Sequence, residues 1–285
     1  MAPRAGRRLH IAHRTGYRYA DVVDASFNEV RMTPLTIDGQ LLINHSLGIH
    51  PSASIQTYQD YWGAQVEAFD VHGPHRVLEI ASISTVDTPP LPEPVPGLAW
   101  ADVLDSNLQD MYSEFLAPTG YVDDAMADDQ RAAIVDEMRS SPTPWYAGTL
   151  AVAAVRDRIT YASGVTDVST TAAEAWVSRH GVCQDFTHAT LSLLRAARVP
   201  ARYVSGYLHT EEPAPGQTVI GESHAWVEYW DGIWHAVDPT NDRSVGAAHV
   251  IVARGRDYAD VPPLKGIYAG GQSEGIGVTV EITQL

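Results

Sequence analysis

The segment Gly181-Val182-Cys183-Gln184-Asp185-Phe186 carries the only cysteine of the chain. Apolar side chains continue from it at three- and four-residue spacing and form one stripe, which predicts a helix over about 183–198. Cys183 then projects from the first helical turn. There it faces unpaired backbone N–H groups and the positive end of the helix dipole, and both favour a thiolate. The same N–H groups can stabilise an oxyanion on an attacked carbonyl.

A lone cysteine has a plainer interpretation, because free cysteine is among the most buried residue types. With a single cysteine, an internal disulfide is excluded, so Cys183 is a buried filler, a reactive thiol or an intermolecular bridge. Asp185 suits the first turn of a helix, but its charge would disfavour a thiolate nearby. We therefore expect Asp185 to point away from the thiol and to cap the helix.

Two later segments supply a base and its orienting carboxylate. Ser223-His224-Ala225-Trp226 lies on one predicted strand, and Asp238 ends the next one, after the turn signal Asp231-Gly232. Cys183, His224 and Asp238 together make the set of a thiol nucleophile, a general base and the group that orients the base. Trp226 shares the face of His224 and is expected to pack in the sheet core or to form a wall of the site.

The length of the hairpin loop decides whether His224 and Asp238 can meet. A two-residue loop at 231–232 would place them on opposite faces of the hairpin, because side chains alternate along a strand. A three-residue loop, Trp230-Asp231-Gly232, pairs His224 directly with Asp238 and gives Gly232 the left-handed conformation that such loops require. We predict the three-residue loop and a hydrogen bond from the His224 ring to Asp238.

The chain has twelve histidines, so each one needs its own argument. His188 lies about one turn beyond Cys183 and is either a supporting group or merely packed. His235 faces away from Asp238 by alternation. The six histidines of the first eighty residues are interpreted as structural or exposed: His10, His13, His45, His50, His72 and His75. Without a second cysteine or a helix-spaced histidine pair, the sequence predicts neither a metal site nor a cofactor.

The periodicity divides the chain into two domains. Alternating segments at 9–13, 65–71 and 77–80, separated by turns at 61–63 and 72–74, predict an antiparallel β lobe over residues 1–90. A proline-rich linker over 87–97 follows. Residues 98–285 form the second domain. Its predicted helices cover about 103–116, 127–140, 145–160, 171–179 and 183–198. Its predicted strands cover 201–208, 222–230, 233–237, 249–254 and 277–282, with a Gly/Pro-rich loop between the last two.

The bulk composition limits the partners of the protein. The 285 residues are 45% apolar, and the net charge of −16 argues against binding to nucleic acid or to an anionic membrane. The basic start, Met1 to Arg8, is not followed by an apolar stretch, so we predict neither a signal peptide nor a transmembrane helix. These features favour the cytoplasm, where a free thiol persists. The oligomeric state cannot be deduced from the sequence.

Four segments together give a recognisable pattern: residues 181–186, 194–207, 223–228 and 234–241. This pattern closely resembles the bacterial transglutaminase-like superfamily, and residues 27–34, 60–63 and 253–263 resemble other parts of these proteins. The resemblance implies an α+β fold with a papain-like core, with Cys183 as nucleophile, His224 as base and Asp238 as orienter. Papain-type enzymes carry an oxyanion glutamine shortly before the cysteine, but residues 174–180 contain none, which leaves Trp176 and Tyr161 as candidates for that donor.

The superfamily includes crosslinking transglutaminases, peptidases and amidases. Our leading hypothesis is a cysteine acyl-enzyme that cleaves or transfers an amide of a peptide or protein. Hydrolysis is favoured because a crosslinker inside the cell would be hazardous and no calcium-binding loop motif is present. Two alternatives stay open: a non-catalytic binding module on the same fold, and an acyltransferase that uses a thioester donor.

Overall fold

A computed structural model of the chain describes residues 6–92, 95, 97–209, 215–270 and 272–285, with the backbone alone at residues 222 and 276. The strands are β1 Arg7–Val30, β2 Leu41–His50, β3 Ile55–Gln59, β4 Gln65–Thr88, β5 Thr160–Tyr161, β6 His180–Gly181, β7 Ala201–Leu208, β8 Thr218–Trp230, β9 Trp234–Asp238, β10 Arg243–Ser244, β11 His249–Gly255, β12 Leu264–Gly270 and β13 Ser273–Gln284. The α-helices are α1 Trp100–Val103, α2 Ser106–Met111, α3 Asp129–Arg139, α4 Pro144–Arg158, α5 Ala172–Ser178 and α6 Cys183–Ala196.

Two long antiparallel strands, β1 and β4, form the spine of the N-terminal lobe. They pair from Arg7 opposite Thr88 to Val30 opposite Glu67, so the short strands predicted at 9–13, 65–71 and 77–80 are pieces of this one ribbon. The turn predicted at 72–74 is wrong, because β4 continues through it. Gly73 has a φ of +119° at a register shift in the ladder, so this glycine marks a bulge instead of a chain reversal.

One sheet connects the two lobes. Its central path runs β10-β9-β8-β13-β1-β4-β2, and β7 pairs with both β8 and β11. The strand β13 pairs with β1 on one side and with β8 on the other. The neighbouring strand β12 also pairs with β1. Residues 264–270 and 273–284 therefore pair with the sheet of the N-terminal lobe, although their position in the sequence had grouped them with the second domain.

The helices pack against the β7–β8 part of the sheet, where α6 contacts both strands. Four helix predictions, at 127–140, 145–160, 171–179 and 183–198, are confirmed as α3, α4, α5 and α6. The single helix predicted at 103–116 is wrong. Asp105 interrupts it, because its carboxylate accepts the N–H groups of Asn107 and Leu108 and starts the separate helix α2.

The strand β12 was missed because its side chains give no alternating signal. All but the first of its residues are exposed, so the strand is held by backbone pairing with β1 and not by a buried face. The first two residues of the predicted linker, Asp87 and Thr88, belong to β4. Its other described residues have no regular structure, and Glu93, Pro94 and Pro96 lie outside the described part of the chain. None of the helices formed by the described residues has the length and apolar character needed to span a membrane. The domain boundaries themselves stay a prediction.

Candidate active site

Cys183 opens α6, directly after Val182 at the N-cap position. The carboxylate of Asp185 turns back and accepts the Val182 N–H at 2.7 Å, which confirms the predicted cap. It also accepts the hydroxyl of Thr166 at 2.7 Å. Burial raises the pKa of Asp185 above its usual value, although both hydrogen bonds oppose that shift. Gly181 is required for this approach, because a Cβ there would lie 2.5 Å from the Cβ of Asp185.

The first turn of α6 leaves backbone donors beside the thiol. The N–H groups of Cys183 and Gln184 lie too early in the helix to have an intrahelical acceptor, which makes them available to an oxyanion. The side chain of Gln184 is not part of such a site, because its amide donates to the carbonyl of Val168 at 3.1 Å. Cys183 itself is half-buried.

The hairpin that carries the base and the carboxylate has a three-residue loop, as predicted, but it is shifted by one residue. Trp230 pairs with Trp234 and Val227 with Val237, so the loop is 231–233 and not 230–232. Gly232, with a φ of +114°, is its middle residue. The predicted pairing of His224 directly opposite Asp238 is therefore wrong. Both registers keep the two side chains on one face, because the shift is an even number of positions.

The predicted hydrogen bond between the base and the carboxylate is present. Nε2 of His224 lies 2.9 Å from Oδ2 of Asp238, and both side chains are buried. The other ring nitrogen, Nδ1, is buried and meets no nitrogen or oxygen partner among the described residues. Burial lowers the pKa of His224, but interactions with Asp238 and with the thiol of Cys183 outweigh burial and raise it to about 9. The structure thus brings together all three residues predicted from the sequence.

Asp238 is held from several directions. Its Oδ1 accepts the backbone N–H groups of Thr240 and Asn241, both at 3.1 Å. Its Oδ2 also accepts the Asn241 side-chain amide at 2.8 Å, and Nε2 of His249 lies 3.3 Å from the same oxygen. Burial raises the pKa of Asp238, yet these hydrogen bonds and the one with His224 hold it well below its usual range. The carboxylate therefore stays ionised while His224 gains and loses a proton.

Sequence reasoning assigned no role to Asn241 or His249. Asn241 could have been suspected, because asparagine is a common turn residue and this one follows Asp238 closely at the end of β9. For His249 the only local signal was a histidine at the start of a predicted strand. Its contact with Asp238 depends on how β11 reaches the hairpin through β7 and β8.

Aromatic rings enclose the base. Trp226 is fully buried and lies against the His224 ring, with centroids 6.1 Å apart and planes inclined by 30°. The ring of His249 meets the same indole edge-on at 5.3 Å. Together these contacts surround the His224–Asp238 pair with apolar surface, which strengthens the electrostatic interactions within it.

The other two histidines near the site have structural roles. His188 is fully buried, stacks on Tyr121 and accepts the backbone N–H of Tyr258 at 3.2 Å. Burial lowers its pKa to about 3, so it is neutral and packed. His235 bonds to Asp231 at 2.6 Å and faces away from Asp238, as predicted.

The two candidates for a second oxyanion donor differ in their surroundings. Trp176 is buried, and its indole N–H has no partner among the described residues. Tyr161 is half-exposed, and its backbone pairs with Gly181 beside the start of α6. These surroundings do not decide between Trp176 and Tyr161, so both stay candidates.

The atoms of His224, Asp238 and His249 lie within 4.8 Å of one another, which is close enough for a metal site to be considered. The surroundings favour hydrogen bonding instead. Oδ2 of Asp238 already has the amide of Asn241 at 2.8 Å, and the cationic Nε of Arg243 lies 3.7 Å away. A cation next to the central ligand atom would repel a metal ion. We interpret the cluster as a hydrogen-bonded carboxylate.

A cavity of about 1240 Å³ opens between the N-terminal lobe, the linker and the hairpin. Asp238, His249 and Arg243 are among the residues that line it. Cys183 and His224 are not. The cavity therefore reaches the carboxylate of the site without passing the thiol.

Comparison with known proteins agrees with this geometry. The bacterial transglutaminase-like N-terminal region matches residues 9–87, and the transglutaminase-like superfamily matches residues 132–239. An uncharacterized protein of Mycobacterium leprae is 39% identical over 279 residues, which are 98% of this chain and 99% of that protein. A protein-glutamine gamma-glutamyltransferase of Pseudomonas aeruginosa is 43% identical over 68 residues, which are 22% of this chain and 10% of that protein.

Among solved structures, that of a proposed cysteine protease from Cytophaga hutchinsonii aligns with a TM-score of 0.79 and 22% identity, covering 99% of this chain and 92% of that one. At this identity the likeness shows the fold, and it confirms the predicted α+β fold. The family matches cover the N-terminal lobe and the segment that holds Cys183, His224 and Asp238. The chain belongs to the bacterial transglutaminase-like superfamily.

Proposed function

We propose that the protein is a cysteine-dependent acyl-enzyme that acts on amide bonds of a peptide or protein. The observation that carries this proposal is the environment of His224. Its Nε2 is bonded to Asp238, its Nδ1 is left without a nitrogen or oxygen partner, and its pKa is raised to about 9 by Asp238 and the Cys183 thiol. A histidine in this state is an imidazolium at neutral pH and can stabilise a thiolate beside it.

The reaction follows from these positions. The Cys183 thiolate attacks the amide carbonyl, and the N–H groups at the start of α6 stabilise the oxyanion of the tetrahedral intermediate. The imidazolium of His224 gives its Nδ1 proton to the departing amine as the C–N bond breaks and a thioester forms. Asp238 keeps the ring oriented and compensates its charge. Water or an amine, deprotonated by His224, then attacks the thioester and releases the thiolate.

We propose water as the second substrate, so that the net reaction is hydrolysis. Transfer to an amine is the second candidate, supported by the local 43% identity to the protein-glutamine gamma-glutamyltransferase. A glutamine-containing protein incubated with a fluorescent primary amine separates the two. Hydrolysis releases products without incorporating label, whereas transfer leaves the label covalently bound to the protein.

We also propose that the protein acts in the cytoplasm on a partner that is neither nucleic acid nor an anionic membrane. The net charge of −16 and the free thiol of Cys183 support this proposal. Fractionation of cells expressing the full chain, with detection of the protein in each compartment, tests the location.

The experiment that tests the catalytic proposal is the rate of Cys183 alkylation by iodoacetamide against pH. We expect the wild type to react well below neutral pH, whereas an ordinary thiol titrates at about 8.5. His224→Ala should move the reaction to that ordinary range. His235→Ala is the matched control, because His235 also bonds to a carboxylate but faces away from Asp238. Wild-type titration as a free thiol would contradict the proposal.

A further inference from the structure

His249 is a buried histidine in contact with the carboxylate of the site, and it lies outside the matched superfamily segment 132–239. We propose that His249 is a positioning residue. Its Nε2–H donates to Oδ2 of Asp238 and shares the charge of that oxygen with His224. This inference rests on the function proposed above and adds a fourth side chain to the three predicted from the sequence.

The hydrogen bonds of His249 define its tautomer. The backbone N–H of Gly246 points to Nδ1 at 3.4 Å, and an N–H can be accepted only by a ring nitrogen that carries no proton. In the neutral ring the proton must then be on Nε2, the atom that lies 3.3 Å from Asp238. Burial lowers the pKa of His249, which keeps the ring neutral. His249 is therefore a fixed, uncharged donor.

Three N–H groups converge on Oδ2. The distance from His224 is 2.9 Å, that from Asn241 is 2.8 Å and that from His249 is 3.3 Å. Arg243 adds a cation at 3.7 Å from the same oxygen. The His224 ring also interacts with the Cys183 thiol. An anion that divides its charge among several donors holds each one less strongly. The donor from His249 thus limits how tightly Asp238 holds the imidazolium proton of His224.

This limit has a use in the proposed reaction. His224 must give its proton to a departing amine, and an imidazolium whose pKa is too high is a poor general acid. The carboxylate also lines the 1240 Å³ cavity, from which water could supply a mobile donor. His249 lines the same cavity and provides a donor with a defined direction, so the basicity of His224 does not depend on solvent behind the site.

His249→Met tests the proposal because it keeps the volume and removes the donor. The readout is the pH at which the alkylation rate of Cys183 changes as His224 loses its proton. We expect this step to move upward by about one pH unit, since Asp238 then holds the imidazolium more strongly. His249→Gln should return the step to its wild-type position, because its amide nitrogen can occupy the place of Nε2. A merely structural role would change the melting temperature without moving the step.

A wild-type measurement covers the case in which the variants do not fold. Imidazole ¹⁵N NMR at pH 7 should show His249 as the neutral tautomer protonated at Nε2. A ring protonated at Nδ1, or an unmoved step in a folded His249→Met, would overturn the role of His249. Such a result leaves the proposed function intact. The proposed function is contradicted only when wild-type Cys183 titrates as an ordinary thiol.

Discussion

Asp185 shows how one side chain can position a nucleophile without touching a substrate. Its Oδ2 accepts the Val182 N–H at the start of α6 and the hydroxyl of Thr166 in the preceding loop. The loop is thereby tied to the turn that carries Cys183. The close approach also needs the bare Cα of Gly181. Gly181, Val182 and Asp185 thus define the helix start within five residues of sequence, and Thr166 ties the preceding loop to it.

We predict that Asp185→Ala lowers the free energy of unfolding by about 1–2 kcal/mol, the usual cost of losing a helix cap. Thr166→Val is the control, because it removes one hydrogen bond to the same oxygen and should cost about 1 kcal/mol or less. Urea denaturation measures both. Equal losses in the two variants would mean that the Val182 hydrogen bond contributes nothing to stability.

The side chains of the site differ in how far the sequence could reveal them. Cys183, His224 and Asp238 each lie in a distinctive local context, and their types alone suggested a nucleophile, a base and an orienter. Asn241 and His249 complete the carboxylate contacts, but asparagine and histidine have many structural uses. His249 is one of twelve histidines, and its partner is chosen by strand pairing that no local pattern encodes.

At the scale of elements, the packing of α4 on β8 depends on a glycine inside the helix. A Cβ on Gly148 would lie 2.4 Å from Cζ of Tyr229, whose ring is fully buried. The hydroxyl of Tyr229 also donates to the carbonyl of Trp145, in the first turn of α4. Helix and strand therefore approach more closely than an alanine at 148 would allow.

We predict that Gly148→Ala destabilises the protein by at least about 1 kcal/mol, although alanine is the better helix former by about that amount. The overpacked Tyr229 ring outweighs the gain in propensity. Ala153→Gly, at an exposed position of the same helix, should lower the free energy of unfolding only by the difference in helix propensity, about 1 kcal/mol. Thermal or urea unfolding compares the two variants. A more stable Gly148→Ala would show that the helix can move away from the sheet.

Local patterns predicted the elements with a buried face and missed those without one. The strand β7 matches its prediction of 201–208, and α6 ends within two residues of its own. The missed strand β12 is exposed along almost its whole length. The hairpin loop was placed one residue early, because the rule that three-residue loops end on a left-handed residue put Gly232 last. In the structure Gly232 is the middle residue of the loop and has a φ of +114°.

At the scale of the whole molecule, buried histidines make stability depend on pH in both directions. His13 and His188 are kept neutral by burial, which lowers their pKa values to about 4 and about 3. In the unfolded chain they bind protons below about 6.5, so acid favours unfolding. The pKa of His224 is raised to about 9. Its contribution to the free energy of unfolding is therefore complete below pH 6.5 and is lost as the pH rises through 9.

We therefore predict a maximum of stability near pH 6.5, with a decline on each side of up to about 1.4 kcal/mol per pH unit for each histidine. The midpoint of urea unfolding between pH 4 and 10 measures it. His13→Gln should flatten the acid side, and His224→Gln should flatten the alkaline side. A curve that is flat from pH 4 to 10 in the wild type would contradict the assigned protonation states.

The strand β13 joins β1 to β8, so the sheet cannot be completed until the end of the chain has been synthesised. The first strand of the chain, β1, emerges from the ribosome long before β13, and β8 also lacks this neighbour until residues 273–284 have been made. During that interval both lobes expose unpaired strand edges, which are templates for association with other chains. A chaperone that shields strand edges would therefore be most useful to this protein while it is still nascent.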